Sequence, residues 1–366
     1  MEHKEHFHGS DLEKIEKVYG IKKEDIISFS ANVNPLGLSP RVKEALSEKA
    51  DCLTSYPDRE YTGLRKAIAA YTGVDFNHVL VGNGSSELIS LFGKVCCPKK
   101  ALILGPTYSE YEHSIALAGG KCSYFELRES ANFVLDKFAL YNELGKGYDL
   151  LILCNPNNPT GALIGRNVME DIVKYCASLK INVIVDETYI EFVEGCNDVT
   201  AVSLAATYKN LVVLRGISKF FAAPGLRLGY GVTSNKELIR SINDIQVPWS
   251  INSLAEVLGT VMFNDYQYMD KTRDLISLER SRVYSRLLAI PCIKAYRPTC
   301  NFILCHITSG DKTAEDLFEA AIKEKLMIRN CESFTYLDNT FFRFCFMKPE
   351  DNDKLLSVIE KTFISE

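Results

Sequence analysis

Lys219 stands in GISKFFAAPGLRLGY (216–230), where Phe220, Phe221, Ala222 and Ala223 surround it with poor company for water. Such surroundings lower a lysine from its ordinary ~10.4 and favour the neutral amine that Schiff-base chemistry requires. Elsewhere a loop lysine is simply solvated. Ser218 and Arg227 in the same stretch offer a hydroxyl and a guanidinium to an anion. Asp186 ends the apolar run NVIVDE (182–187). An acid so placed often caps a helix or pairs with a base, but it can also pair with a buried ring N–H, and Tyr189 is near enough to hold the same ligand. NPNNPTG (155–161) sets Asn157 and Asn158 as amide donors in a loop that two prolines and a glycine make rigid. GNGSSE (82–87) is a glycine turn entering a helix, where Gly84, Ser85 and Ser86 present backbone N–H groups and hydroxyls to a phosphate. No Gly-Lys-Ser/Thr follows it, so it is not a P-loop, and on its own it could be a tight turn with capping serines.

The elements that must position these groups read as α/β. VLVG (79–82), ALILG (101–105), KCSYFEL (121–127), DLLILC (149–154), NVIVDE (182–187), LVVLRG (211–216) and RLGYGV (227–232) are short apolar runs separated by helical stretches. That predicts a mostly parallel seven-stranded sheet with helices on both faces. The four clusters fall at the carboxyl ends of its strands, where open α/β sheets bind ligands. After about residue 265 the pattern changes to a long charged helix (about 267–289), the strand NFILCHI (301–307), a helix TAEDLFEAAIKEKL (313–326), the strand FFRFCFM (341–347) and a last helix from about 351. The division predicted is a segment 1–45 packing with a small α+β domain 266–366, and a large cofactor domain 46–265.

Composition narrows the function classes. The 366 residues carry 42 basic and 47 acidic side chains, a net charge of −5, which gives no reason for the whole chain to seek nucleic acid or an anionic membrane. No apolar run reaches the roughly 18 residues of a membrane span. The 12 cysteines show no C-x-x-C pair and no zinc-type spacing, so reduced thiols in a cytoplasmic protein and no metal are expected. MEHKEHFHGS has no apolar stretch of a secretory signal, and His3, His6 and His8 lie on a polar segment without a second ligand group.

Together, in this order and at strand ends, the four clusters resemble the aminotransferase-like pyridoxal-phosphate enzymes of fold type I, over nearly the whole chain. The resemblance implies pyridoxal 5'-phosphate carried as a Schiff base on Lys219, with Asp186 on the ring N–H so that the ring acts as an electron sink. Asn158 and Tyr189 would bond the phenolic oxygen, Tyr108 in PTYSEY would stack on the ring, and Gly84, Ser85, Ser86, Ser218 and Arg227 would hold the phosphate. Lys219, Asp186 and Tyr189 would be the catalytic set. Tyr56, in YPD, would reach across a homodimer interface to the neighbouring subunit's cofactor phosphate, so the active sites would be shared. Gly216 departs from the pattern, because relatives usually carry serine or threonine three before the lysine. One phosphate hydrogen bond is then missing, worth ~1 kcal/mol.

Within that group, FSANVNPLG (29–37), YPDREYTGLRKAIA (56–69), PWSINSLAE (248–256) and IRNCESFTYLDNTFFRF (328–344) are similar to the threonine-phosphate decarboxylases of cobalamin biosynthesis. HGS (8–10) echoes their His-Gly-Gly with serine at the third place. That likeness implies that Arg343 binds the substrate carboxylate and Arg329 its phosphate, with His8, Asn32, Gly37 and Asn158 lining the same end of the pocket. Two arginines on adjoining strands suit a small substrate with two anionic groups. The expected reaction is decarboxylation of O-phospho-L-threonine to (R)-1-aminopropan-2-yl phosphate. DETYIEF (186–192) resembles histidinol-phosphate aminotransferases instead, so transamination of histidinol phosphate with 2-oxoglutarate stands as the alternative, as does decarboxylation of O-phosphoserine. The bond perpendicular to the ring breaks in each case, so the catalytic set serves all three. A ligand-sensing module fused to a DNA-binding region would need a basic helix-turn-helix segment, for which the N-terminus leaves no room.

Overall fold

The computed structural model describes residues 11–364. Near its start, strand β1 (Ile27–Ser28) lies parallel to β11 (Leu326–Met327), tying the first part of the chain to the last third. The following residues run as a strap between the two sheets. Phe29 N–H donates to Met327 O at 2.8 Å, and its carbonyl accepts from Cys345 N at 2.8 Å. Asn34 N–H donates to Lys219 O at 3.0 Å.

The large sheet contains β2 (Val79–Gly82), β3 (Lys100–Gly105), β4 (Lys121–Glu126), β5 (Leu150–Cys154), β6 (Asn182–Asp186), β7 (Leu211–Gly216) and β8 (Gly229–Val232), in the order β2-β8-β7-β6-β5-β3-β4. All pairings are parallel except those of β8, which runs antiparallel to both β7 and β2. Burial on both faces explains the unbroken apolar runs. Leu151, Leu153, Val183 and Val185 face one core, while Leu150, Ile152 and Ile184 face a second beneath the helix Ser85–Cys96. β4 is one edge, opposite β2, and its exposed Lys121 and Glu126 discourage pairing with another chain.

The second sheet is antiparallel, in the order β12 (Arg329–Asn330), β13 (Phe341–Cys345), β10 (Phe302–Ile307) and β9 (Ile293–Ala295). The helices Tyr266–Leu287, Ala314–Lys323 and Pro349–Phe363 accompany it. Most boundaries differ from the sequence expectation by one or two residues, and three of these differences have a local cause. The helix expected over 313–326 stops at Lys323, because Lys325 turns left-handed (φ 61) and sends Leu326 to β1. The last helix starts at Pro349 in its first turn, not at 351. Arg227 and Leu228 precede β8 rather than belonging to it, since Arg227 has φ 58. Among the described residues no helix is long and apolar enough to cross a membrane.

Candidate active site

The carboxyl ends of β5, β6 and β7 open with β13 and the strap onto one cavity of about 390 Å³. Lys219, Ser218, Asp186, Tyr189 and Asn158 line it from the large sheet. Ser85, Ser86, Tyr108 and Arg227 line one end, and Asn32, Arg329 and Arg343 the other.

Lys219 is half-buried, and its Nζ donates to the Ala31 carbonyl of the strap at 2.6 Å. Burial, then the nearby Arg343 and Arg227 cations, hold its amine down to about 8, with Cys345 opposing. At neutral pH a useful fraction is therefore the nucleophilic free base. Asp186 closes β6 and is only 4% exposed. Its Oδ1 accepts from Thr188 N at 2.9 Å and Thr188 Oγ1 at 2.6 Å, and its Oδ2 from the Tyr111 hydroxyl at 2.7 Å. Burial pushes this carboxyl upward, Thr188 and Tyr111 pull it back, and Glu187 adds a smaller upward push. Behind it, Glu187 is neutralised by buried Arg215 at 2.9 Å.

At the anion end, Gly84 enters the helix Ser85–Cys96 with φ 81, so the first N–H groups of that helix face the cavity. A Cβ on Gly84 would stand 2.4 Å from an Arg227 guanidinium nitrogen, and one on Gly229 would stand 2.4 Å from Ser85 N. Backbone and arginine approach so closely because both positions lack side chains. Gly216 leaves ordinary space, since a Cβ there would lie 3.6 Å from Ser85 Oγ. Tyr108 packs edge-on against Tyr111 with ring centres 5.6 Å apart.

At the opposite end Arg329 and Arg343 are directly paired across β12 and β13. Arg343 donates to Asn158 Oδ1 and to Ser30 O (2.7 Å), and sits over the Phe302 ring. Holding Asn158 by its oxygen leaves that amide's nitrogen as a donor. Arg329 is buried, donates to Ser333 Oγ at 2.8 Å and lies over Phe334. Burial first, then Arg343, pull its guanidinium down to about 10. Asn32 Nδ2 reaches the Tyr189 hydroxyl at 3.4 Å. Arg343 Nε, Asn32 Oδ1 and Ser30 Oγ are buried without a hydrogen-bond partner among the described residues, and their residues all line this cavity. Orphaned polar atoms of both kinds beside two cations suit a small polar anion.

One residue expected at the substrate end lies elsewhere. Gly37 does not line the cavity, and its carbonyl accepts from Tyr268 at 2.7 Å. Tyr56 is 80% exposed, away from this chain's own cavity, with its ring 5.0 Å from that of Trp249. His8 falls outside the described residues. Tyr111, Thr188, Ser30, Ala31, Cys154 and Phe334 line the site without having been singled out. Thr188 and Tyr111 had a signal, each being two or three positions from a chosen residue. Ala31 contributes only a carbonyl and had none.

The sequence pattern of aminotransferases class I and II matches residues 24–359. The chain belongs to that family. A protein of Caldanaerobacter subterraneus, provisionally named a threonine-phosphate decarboxylase, is 37% identical over 329 residues, 90% of this chain and 88% of its own. Threonine-phosphate decarboxylase of Salmonella typhimurium is 33% identical over 352 residues, 96% and 95% of the two chains. The crystal structure of histidinol-phosphate aminotransferase from Clostridium acetobutylicum superposes with a TM-score of 0.86 at 33% identity, covering 92% of this chain and 99% of that one. The family's cofactor is pyridoxal 5'-phosphate, and this cavity fits it: a depressed lysine, a buried carboxylate and a helix N-terminus with arginine are what its aldehyde, ring nitrogen and phosphate require.

Proposed function

We propose that this chain is a pyridoxal-phosphate-dependent lyase that decarboxylates O-phospho-L-threonine to (R)-1-aminopropan-2-yl phosphate, the reaction that serves cobalamin biosynthesis. The observation that carries this reading is the buried arginine pair. Arg329 and Arg343 stand side by side in register at one end of the cavity, and Arg329 is held below its ordinary value there. Two adjacent buried cations suit one small molecule bearing both a carboxylate and a phosphate. Histidinol phosphate brings a phosphate but no carboxylate. Two relatives named for the decarboxylase, at 37% and 33% identity, support the same choice.

Lys219 would hold the cofactor, Asp186 its ring N–H, Asn158 and Tyr189 its phenolic oxygen, and Ser85, Ser86, Ser218 and Arg227 its phosphate. When bound, pyridoxal phosphate supplies an electron sink for the pair left when a bond to the substrate Cα breaks. The residues of the chain decide which bond that is. Arg343, its fork fixed by Asn158 and Ser30, would grip the carboxylate. Arg329 and Asn32 would take the phosphate end. Lys219 would return a proton at Cα, and Ala31 O accepts a hydrogen bond from its amine at 2.6 Å. Ser30, Ala31 and Asn32 of the strap form one wall of the cavity. Tyr56 of a partner subunit would complete the phosphate site in a homodimer.

The test is incubation of cofactor-loaded protein with O-phospho-L-threonine, following CO₂, beside histidinol phosphate with 2-oxoglutarate, following glutamate. Carbon dioxide without glutamate is expected. Glutamate without carbon dioxide would overturn the reading in favour of the transaminase.

A further inference from the structure

We infer that Tyr111 is a positioning residue for Asp186, acting with the Thr188 hydroxyl to keep that carboxylate ionised and to leave one acceptor site on Oδ2 for the cofactor ring N–H. The inference rests on the assignment of Asp186 to the ring nitrogen made above.

A carboxylate offers about four acceptor sites. On Asp186 the two of Oδ1 are taken by Thr188 N and Oγ1, at 2.9 and 2.6 Å, and one of Oδ2 by Tyr111 at 2.7 Å. One site remains, on Oδ2, and Asp186 lines the cavity. The Tyr111 ring is fully buried against Tyr108 in the first turn of the helix Glu110–Leu117, so the direction of its hydroxyl is fixed by a rigid element. Packing does not require the hydroxyl, because phenylalanine would fill the same space. The Thr188 contacts belong to a local turn, whereas the Tyr111 bond joins two elements far apart in the chain.

The surroundings make such donors necessary. Cys154, the strand neighbour of Asp186, has its thiol pushed up to about 12 by burial and stays neutral. The Glu187 carboxylate is compensated by Arg215. Burial alone then works against the ionised form of Asp186, and the two hydroxyls oppose it. Tyr111 itself, raised by burial, remains a donor. Without these donors the single proton between ring nitrogen and Oδ2 moves toward Oδ2. The ring is then neutral and a weaker sink. A hydrogen bond to an ionised group sets that balance by about tenfold or more.

The experiment uses holoenzyme loaded with pyridoxal phosphate labelled with ¹⁵N in the ring. In the unsubstituted enzyme the ¹⁵N signal should lie at the value of the protonated ring. In Tyr111→Phe it should move toward the unprotonated value, with kcat lowered about tenfold or more and KM within about twofold. Thr188→Val should move the signal the same way, and Thr188→Ser, which restores the hydroxyl, should leave it in place. Should Tyr111→Phe fail to fold, the two Thr188 variants decide. A signal unchanged in Tyr111→Phe, or in Thr188→Val where only that variant folds, overturns the inference. A signal already unprotonated before any substitution, and unmoved by Asp186→Asn, would instead overturn the assignment of Asp186.

Discussion

Replacing Arg329 with methionine keeps an unbranched apolar stem in the β12 position and removes only the guanidinium. Burial and the facing Arg343 pull that guanidinium down to about 10. A phosphate hydrogen-bonded to this guanidinium contributes on the order of 3 kcal/mol. Arg329→Met should therefore lower kcat/KM for O-phospho-L-threonine by about a hundredfold or more. Decarboxylation of L-threonine, which lacks the phosphate, should change by less than about threefold, because the missing interaction was never available to it. The assay is CO₂ release at saturating cofactor, with cofactor occupancy checked by absorbance so that a lost cofactor is not mistaken for lost substrate. Arg329→Lys, which keeps charge but not the planar fork, should fall between the two. Equal losses for phosphorylated and unphosphorylated substrates would refute the placing of the phosphate at Arg329.

The Lys219 amine, held to about 8, should make the rate of covalent cofactor attachment to ligand-free protein rise with pH and level off above about 8, followed by borohydride trapping and mass spectrometry. A midpoint near 10.5 would contradict this, and Lys219→Ala should abolish trapping. Because the folded amine titrates below the unfolded one, the unfolded chain binds more protons between about pH 8 and 10.5. Ligand-free stability in urea should accordingly rise over that window. Gly84→Ala places a methyl 2.4 Å from the Arg227 guanidinium at φ 81 and should weaken cofactor binding about tenfold or more by fluorescence titration. Unchanged affinity would remove Arg227 and the helix terminus from the phosphate site. Mixing Lys219→Ala with Tyr56→Ala should restore tight cofactor binding at one site in each hybrid dimer, if Tyr56 of the partner subunit completes it. Hybrids that bind no better than Tyr56→Ala alone would refute a shared site.

Most of the large sheet was legible because its strands are buried on both faces, and their apolar runs end where polar site residues begin. Lys219 and Asp186 were legible for the same reason: an ionisable group at the edge of an apolar run is costly unless it has work to do. The reversed direction of β8 was not, since a short strand such as GYGV carries no polarity of its own. Arg227 read as strand because its left-handed backbone depends on the tight turn before β8 and on space at Gly84. Gly37 followed from a motif, yet the carbonyl of that motif turns to Tyr268 on the long helix. Groups that act through their backbone, such as Ala31, leave no mark in residue type.

The antiparallel β8 also orders events during synthesis. It is the last strand of the large sheet to leave the ribosome, yet it must enter between β7 and the much earlier β2. Only that insertion sets Gly229 against Ser85 and brings Arg227 to Gly84. Nascent chains that end before β8 therefore have half an anion cradle, and the two arginines of β12 and β13 come later still. Cofactor can add its binding energy, about 2.7 kcal/mol at a hundredfold excess over Kd, only to chains that have closed the sheet. Vitamin supply would thus act as a late proofreader of folding, sheltering finished molecules while leaving truncated ones to proteases.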